Sequence, residues 1–348
     1  MSYKTCNTCL KGLLALGFLL VCLLSKGQAN FTTVDNLLVK NKKVLGNDLV
    51  AMVYKDGKIV YQKMLGECTL KTQGPMASSS KWLTAALVMT FVDEGKLTLD
   101  ERISTYIPIF ETYSKGYITL RQCLANLTGI ADTKGIGKLL ENKKFESLQD
   151  KVNAIAKKEI SANAGKAFFY GNNGYDIAAR VLEVVSKKTF ETLIKQRIFN
   201  PLLMSHSTFS GEADLVSPGT GALSTPADYM NFLTMILDKG MFKGKRVLSE
   251  TSVAEMATIQ NKNVPIKYNP PITEGFDFGL GEWIQETDSN GTSTTVCFPS
   301  MYGTWPYVDK CRGYACIIFS KNLLGDQKKE IYLQIKKAID EEIPSTCN

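Results

Sequence analysis

Ser78 and Lys81 stand three residues apart in Ala77-Ser78-Ser79-Ser80-Lys81-Trp82-Leu83, at the head of a long apolar stretch. On a helix that spacing sets both side chains on one face, a single turn apart. A serine needs an adjacent base before it attacks an acyl carbon. Lysine becomes such a base when it is desolvated near a helix N-terminus, where the dipole also opposes its charge. Ser78 is therefore the candidate nucleophile and Lys81 the candidate general base. The same four residues would also serve as a helix cap followed by a snorkelling lysine, so the tetrapeptide alone leaves both readings open. The one histidine, His206, has no acidic neighbour in the sequence, which disfavours a Ser-His-Asp arrangement. With one histidine and no CxxC after residue 29, the spacing offers no metal-ligand set, and no cofactor or metal is expected.

The elements that must hold this pair follow from hydrophobic period. Trp82, Leu83, Ala85, Ala86, Met89, Thr90 and Val92 recur with helical spacing until Gly95, so the pair opens a buried helix. Ahead of it, residues 49–53 and 58–61 flank the turn residues Asp56 and Gly57 as the arms of a β-hairpin. Helical patterns cover 172–185, 190–198, 227–237 and 250–259, and strand-type residues return at 279–284, 294–298, 305–308 and 314–319. An amphipathic helix over 329–339 closes the chain. Strands at both ends around helices predict one α+β domain: an antiparallel sheet flanked by helices, with an inserted, mostly helical region between about residues 100 and 210. The charged stretch 142–158 is expected to be a solvated excursion.

Composition narrows the setting. Lys4 and Lys11 precede an apolar run over 12–24, and Gly27-Gln28-Ala29 follows, the pattern of an export signal over 1–29 with cleavage before Asn30. The apolar run is too short to span a bilayer comfortably, so no stable membrane span is expected after cleavage. Removing Lys4, Lys11 and Lys26 lowers the formal charge from +7 to 7 − 3 = +4, which gives little support for a nucleic-acid partner. Residues 30–348 then form one domain in a secreted or periplasmic protein, acting on a small-molecule or peptide substrate. Of the nine cysteines, Cys68, Cys123, Cys297, Cys311, Cys316 and Cys347 remain. Export permits disulfides among them, and the expected pairing is Cys297 with Cys311 or Cys316, which flank a returning strand.

The context of Ser78 and Lys81 resembles the serine β-lactamase and penicillin-binding-protein superfamily, especially its class C and esterase-like branch. Residues 77–85 are similar to the family's active-site helix. The segment 118–130, ending Asn126-Leu127-Thr128-Gly129-Ile130, is similar to one ending His-Thr-Ser-Gly-Leu, with Asn126 in the histidine's place. Tyr170-Gly171-Asn172 resembles its YxN motif, Pro201-Leu202-Leu203-Met204 its Pro-Leu-Gly-Met turn, and 221–228 its Gly-Gly-Leu-x-Ser/Thr-Thr-x-x-Asp segment. The likeness runs from about residue 40 to about residue 340 and implies a β-lactamase/transpeptidase-like α/β fold. It also implies Ser78 as nucleophile, Lys81 as base, Tyr170 as proton relay and Asn172 as the group orienting Lys81 or a substrate amide. The oxyanion donors it implies are the backbone N–H groups of Ser78 and Met301.

One motif departs from the family pattern. Gly303-Thr304-Trp305-Pro306-Tyr307-Val308-Asp309 resembles the family's Gly-Thr-Tyr-x-Trp-Val-Asp, and counting back puts Phe298, Pro299 and Ser300 where a Lys/His-Thr/Ser-Gly triplet lines the substrate pocket. A phenyl ring at 298 cannot make the charge-assisted bond that a substrate carboxylate needs. The expected activity is hydrolysis of a small ester or amide through an acyl-enzyme on Ser78. The alternatives are a β-lactamase or D,D-peptidase acting on a peptidoglycan-like substrate, and a catalytically inactive ligand-binding homologue.

Overall fold

The computed structural model describes residues 29–132, 145–209, 215–324 and 327–347. The expected export signal thus lies, apart from Ala29, outside the described residues. Helix α1 (Thr32–Lys40) leads into the hairpin β1 (Leu49–Lys55) and β2 (Lys58–Leu65). The long helix α2 (Ser80–Asp93) follows, then the helical region with α3 (Leu120–Leu124), α4 (Leu148–Lys157), α5 (Asn173–Ser186) and α6 (Phe190–Ile194). After α7 (Pro226–Leu237) and α8 (Glu250–Met256) the chain returns to the sheet as β3 (Asp277–Phe278), β4 (Trp283–Thr287), β5 (Ser293–Cys297), β6 (Trp305–Asp309) and β7 (Tyr314–Ser320), and ends in α9 (Lys329–Glu342).

Both chain ends meet in one antiparallel sheet of order β2-β1-β7-β6-β5-β4-β3, with Val53 opposite Cys316 where the N-terminal hairpin joins the C-terminal strands. Met52 and Tyr54 face α7, and on the opposite face α9 stacks Tyr332 on Trp305 at 4.6 Å between ring centroids. Helix α2 is buried from Ser80 to Phe91, as a helix apolar on all sides must be. It is the central post that carries Lys81.

The structure differs from the sequence reading at five places. Residues 279–282 form the turn between β3 and β4 rather than strand: Gly281 has φ +78°, and the Gly279 and Leu280 N–H groups donate to the carbonyls of Glu282 and Met256. Of the supposed excursion, 142–144 lie outside the described residues, but 148–157 are helical. Ser147 caps α4 by accepting from the Asp150 N–H, and Leu148, Val152 and Ile155, spaced four and three apart, are buried. The helix expected over 190–198 passes into a π-helical turn at Lys195–Phe199, and the one beginning at Glu250 stops at Met256.

The disulfide is the fifth correction. Cys311 pairs with Cys347, while Cys297 and Cys316 are buried free thiols. Cys297 and Cys316 are both in register with Tyr307, so β6 runs between them. Two strand spacings put their Cα atoms roughly 10 Å apart, beyond disulfide reach. Cys311 sits in the turn after β6, where the C-terminal tail comes back and Thr346 donates to the Cys311 carbonyl.

Candidate functional site

The three serines before Lys81 have different surroundings. Ser79 is fully buried and its hydroxyl donates to the Phe298 carbonyl at 2.8 Å, pinning the end of β5 to the start of α2. Ser80 is also fully buried and its Oγ accepts the Ala222 N–H at 2.9 Å. Ser78 is only half-buried and its hydroxyl meets Tyr170. Of the three, Ser78 alone has both solvent access and a titratable partner. It lies in a 3-10 turn, Ala77–Ser79, that runs directly into α2. Ala77 just before it has φ +42°, a left-handed conformation that a residue with a Cβ adopts at a cost. The Met76 N–H donates to the Ala222 carbonyl at 2.8 Å and holds the chain at this bend.

Lys81 is fully buried, and its Nζ donates to Asn172 Oδ1 at 2.8 Å and to the Gly219 carbonyl at 3.0 Å. The same amine lies 4.8 Å from the centre of the Tyr170 ring and 5.4 Å from that of Tyr175. Asn172 occupies the N-cap position of α5, yet its side chain makes no capping bond; its Oδ1 is turned to Lys81 instead. Burial holds the Tyr170 phenol well above its ordinary range, and the hydrogen bond with Ser78 opposes that shift. Its ring packs 5.3 Å from Trp283 and 6.1 Å from Phe278. Ser78, Lys81, Tyr170 and Asn172 are thereby joined in one chain of contacts.

The remaining sequence candidates meet this group through backbone. Phe298 is closed off from solvent and packs edge-on against Phe278, so its ring is part of the core rather than an open pocket wall. Pro299 and Ser300 are buried beside it, and Met301 is half-exposed. Among the described residues no backbone carbonyl accepts the N–H of Ser78 or of Met301. Asn126 is buried with φ +58°, and its Oδ1 accepts the Gly171 N–H at 3.1 Å. His206 is exposed and presents the same Nδ1 to Ser205 Oγ at 3.1 Å and to Asp228 Oδ1 at 4.0 Å, whereas a Ser-His-Asp relay uses both ring nitrogens.

Three parts of the site were not singled out in the sequence: the Gly219 carbonyl, the Tyr175 ring and Asp132. Asp132 Oδ2 accepts the Asn172 N–H at 2.8 Å, and a Cβ on Gly171 would come within 2.9 Å of the Asp132 side chain, so a glycine is needed there. Tyr175 carried a signal in its position just after Tyr170-Gly171-Asn172. Asp132 and Gly219 had none, since loops distant in the chain deliver them.

The sequence matches the β-lactamase family over residues 47–338, most of the chain. The chain belongs to the β-lactamase family. The family fold is seen in the crystal structure of a candidate β-lactamase from Bacteroides dorei, which is 26% identical, covers 90% of this chain and 99% of its own, and superposes with a TM-score of 0.80. Protein flp of Staphylococcus aureus is 31% identical over 176 residues, 50% of this chain and 34% of its own, so the match spans about a third of that relative. The teichoic acid D-alanine hydrolase of the same species is 24% identical over 277 residues, 75% of this chain and 67% of its own. Ser78, Lys81, Tyr170 and Asn172 all lie within the matched residues. Among the described residues, no helix is long and apolar enough to cross a membrane.

Proposed function

We propose that the protein is an exported hydrolase that cleaves small, uncharged esters through an acyl-enzyme on Ser78. The observation that carries this reading is the linkage of a half-exposed Ser78 to Tyr170 and, one turn on, the buried Lys81 amine held by Asn172. In the forward step Ser78 Oγ bonds to the acyl carbon while its proton passes to a neutral Lys81 amine, directly or through the Tyr170 hydroxyl. The carbonyl oxygen becomes an oxyanion facing the N–H groups of Ser78 and Met301. Collapse breaks the bond to the leaving alkoxide, which takes up the proton, and water then releases the acid by the same route in reverse.

Selectivity rests on position 298. No cation stands there, so a substrate carboxylate lacks its charge-assisted partner, a loss of about 1.5 to 3 kcal/mol or roughly 10 to 150-fold in transition-state binding. Neutral esters do not need that contact. The name of the teichoic acid D-alanine hydrolase supports a hydrolytic rather than a β-lactam-directed role. The test compares wild type with Ser78→Ala on a p-nitrophenyl short-chain ester and a chromogenic cephalosporin, with mass spectrometry after a serine-reactive phosphonate. Ester turnover and an adduct on Ser78, both lost in the variant, are expected. Equal ester rates and no adduct would remove the hydrolase reading, and efficient Ser78-dependent cephalosporin turnover would overturn the selectivity argument.

A further inference from the structure

Behind Lys81 the helical region buries a second pair of opposite charges. Lys151 on α4 places its Nζ 2.8 Å from Asp176 Oδ2 on α5, with the two side chains 8% and 1% exposed. Asp176 lies four residues beyond Asn172, one helical turn on, and its backbone N–H bonds the Asn172 carbonyl at 3.0 Å. Its chain neighbour Tyr175 sets its ring 5.4 Å from the Lys81 amine. Neither Asp176 oxygen has a hydrogen bond of ordinary geometry among the described residues, so nearby cations must compensate the buried charge. Burial pushes the Asp176 carboxyl up, Lys151 pulls it back, Asp132 raises it and Lys81 lowers it. Asp176 and Lys81 therefore sense each other.

We propose that Lys151 and Asp176 form a charge-balancing unit for Lys81, in which Lys151 cancels the Asp176 charge that would otherwise hold the Lys81 proton. The unit touches no substrate; it acts through Lys81, and the inference rests on the reading of Lys81 as the base. The titratable and charged groups around Lys81 come from every neighbouring element. The Tyr170 and Tyr175 rings face it, Asp176 stands on α5 with Lys151 behind, and Asp132 is bonded to the Asn172 backbone. On the other side Glu282 belongs to the turn whose Gly281 packs on the Lys81 carbonyl. Within this group Lys151 and Asp176 are an ion pair whose members can be neutralised singly or together.

The experiment is the pH profile of kcat/KM for a p-nitrophenyl short-chain ester in wild type, Lys151→Met, Asp176→Asn and the double variant, each checked for folding by circular dichroism. Asp176→Asn leaves the Lys151 ammonium uncompensated, which favours the neutral Lys81 amine and moves the acid limb to lower pH by about half a unit or more. Lys151→Met moves it to higher pH, by less, because Asp176 then takes up a proton more readily. The double variant returns close to wild type. Superposed profiles, or single variants displaced in the same direction, overturn the proposal, since a merely structural role would lower stability without opposite displacements. If Lys151→Met does not fold, Asp176→Asn and the double variant decide the matter by the same criterion. Ser78→Ala in parallel separates the two failures. A dead Ser78→Ala with superposed profiles rejects the charge-balancing unit alone, whereas an active one removes the hydrolase reading and this inference with it.

Discussion

Glu282 is a buried carboxyl beside α2, the helix that carries Lys81. It is 1% exposed, in the turn between β3 and β4, and its Oε2 has no hydrogen-bond partner among the described residues. Burial pushes it from the usual 4.5 up to about 7, with Lys310 and Trp82 pulling the other way. An acid whose pKa is raised on folding binds its proton more tightly in the folded state. Its favourable contribution is therefore complete below 4.5 and is lost as pH rises through about 7. At 1.36 kcal/mol per unit, the loss between about pH 5 and about pH 8.5 is roughly 2 to 3 kcal/mol. Glu282→Gln keeps the shape and removes the charge, so the stability of the variant relative to wild type should rise by that amount over the same range. The Lys310 ammonium favours the charged carboxylate, and its pull is already contained in that value. Urea unfolding of both proteins, followed by far-UV circular dichroism at the two pH values, reads the difference with other titrations cancelled. A difference that stays constant within about 0.5 kcal/mol would refute the reasoning.

Two further outcomes follow from the packing. Cys311→Ser opens a loop of 36 residues and should cost up to about 4 kcal/mol by loop-closure entropy, read as a fall in the urea midpoint that matches the effect of reductant on wild type. Equal midpoints for oxidised wild type and the variant would count against the pairing. Phe298→Lys should cost about 3 kcal/mol or more in the same unfolding assay, because it puts an ammonium into a site closed to solvent beside Phe278. A variant as stable as wild type that gains cephalosporin turnover would show that position 298 reaches the substrate.

The fold class was legible because it is written in local period. The alternation around Asp56 and Gly57 and the helical spacing after Ser80 both appear in the structure as β1, β2 and α2, since each is set by which faces of one short segment must be buried. The one-turn spacing of Ser78 and Lys81 is likewise a property of a single helix. Period misled where charge density masked it, as at Lys151. That lysine sits on the buried side of α4 because Asp176 waits there, and nothing within residues 142–158 announces a partner 25 residues further on. It misled also at 279–282, where apolar and glycine residues read as strand but the Leu280 N–H is taken by the Met256 carbonyl.

Tertiary structure alone decided which of three adjacent serines is open, and did so through partners 142 and 219 residues away: the Ala222 N–H for Ser80 and the Phe298 carbonyl for Ser79. It supplied Lys81 with the Gly219 carbonyl across 138 residues and Cys311 with Cys347, while β6 keeps Cys297 and Cys316 apart. Spacing along a chain specifies which side chains share a face of one element. Which face meets which loop is chosen only when the sheet closes between the two chain ends and the helical region packs against α2, as every buried donor and acceptor there must then find its partner.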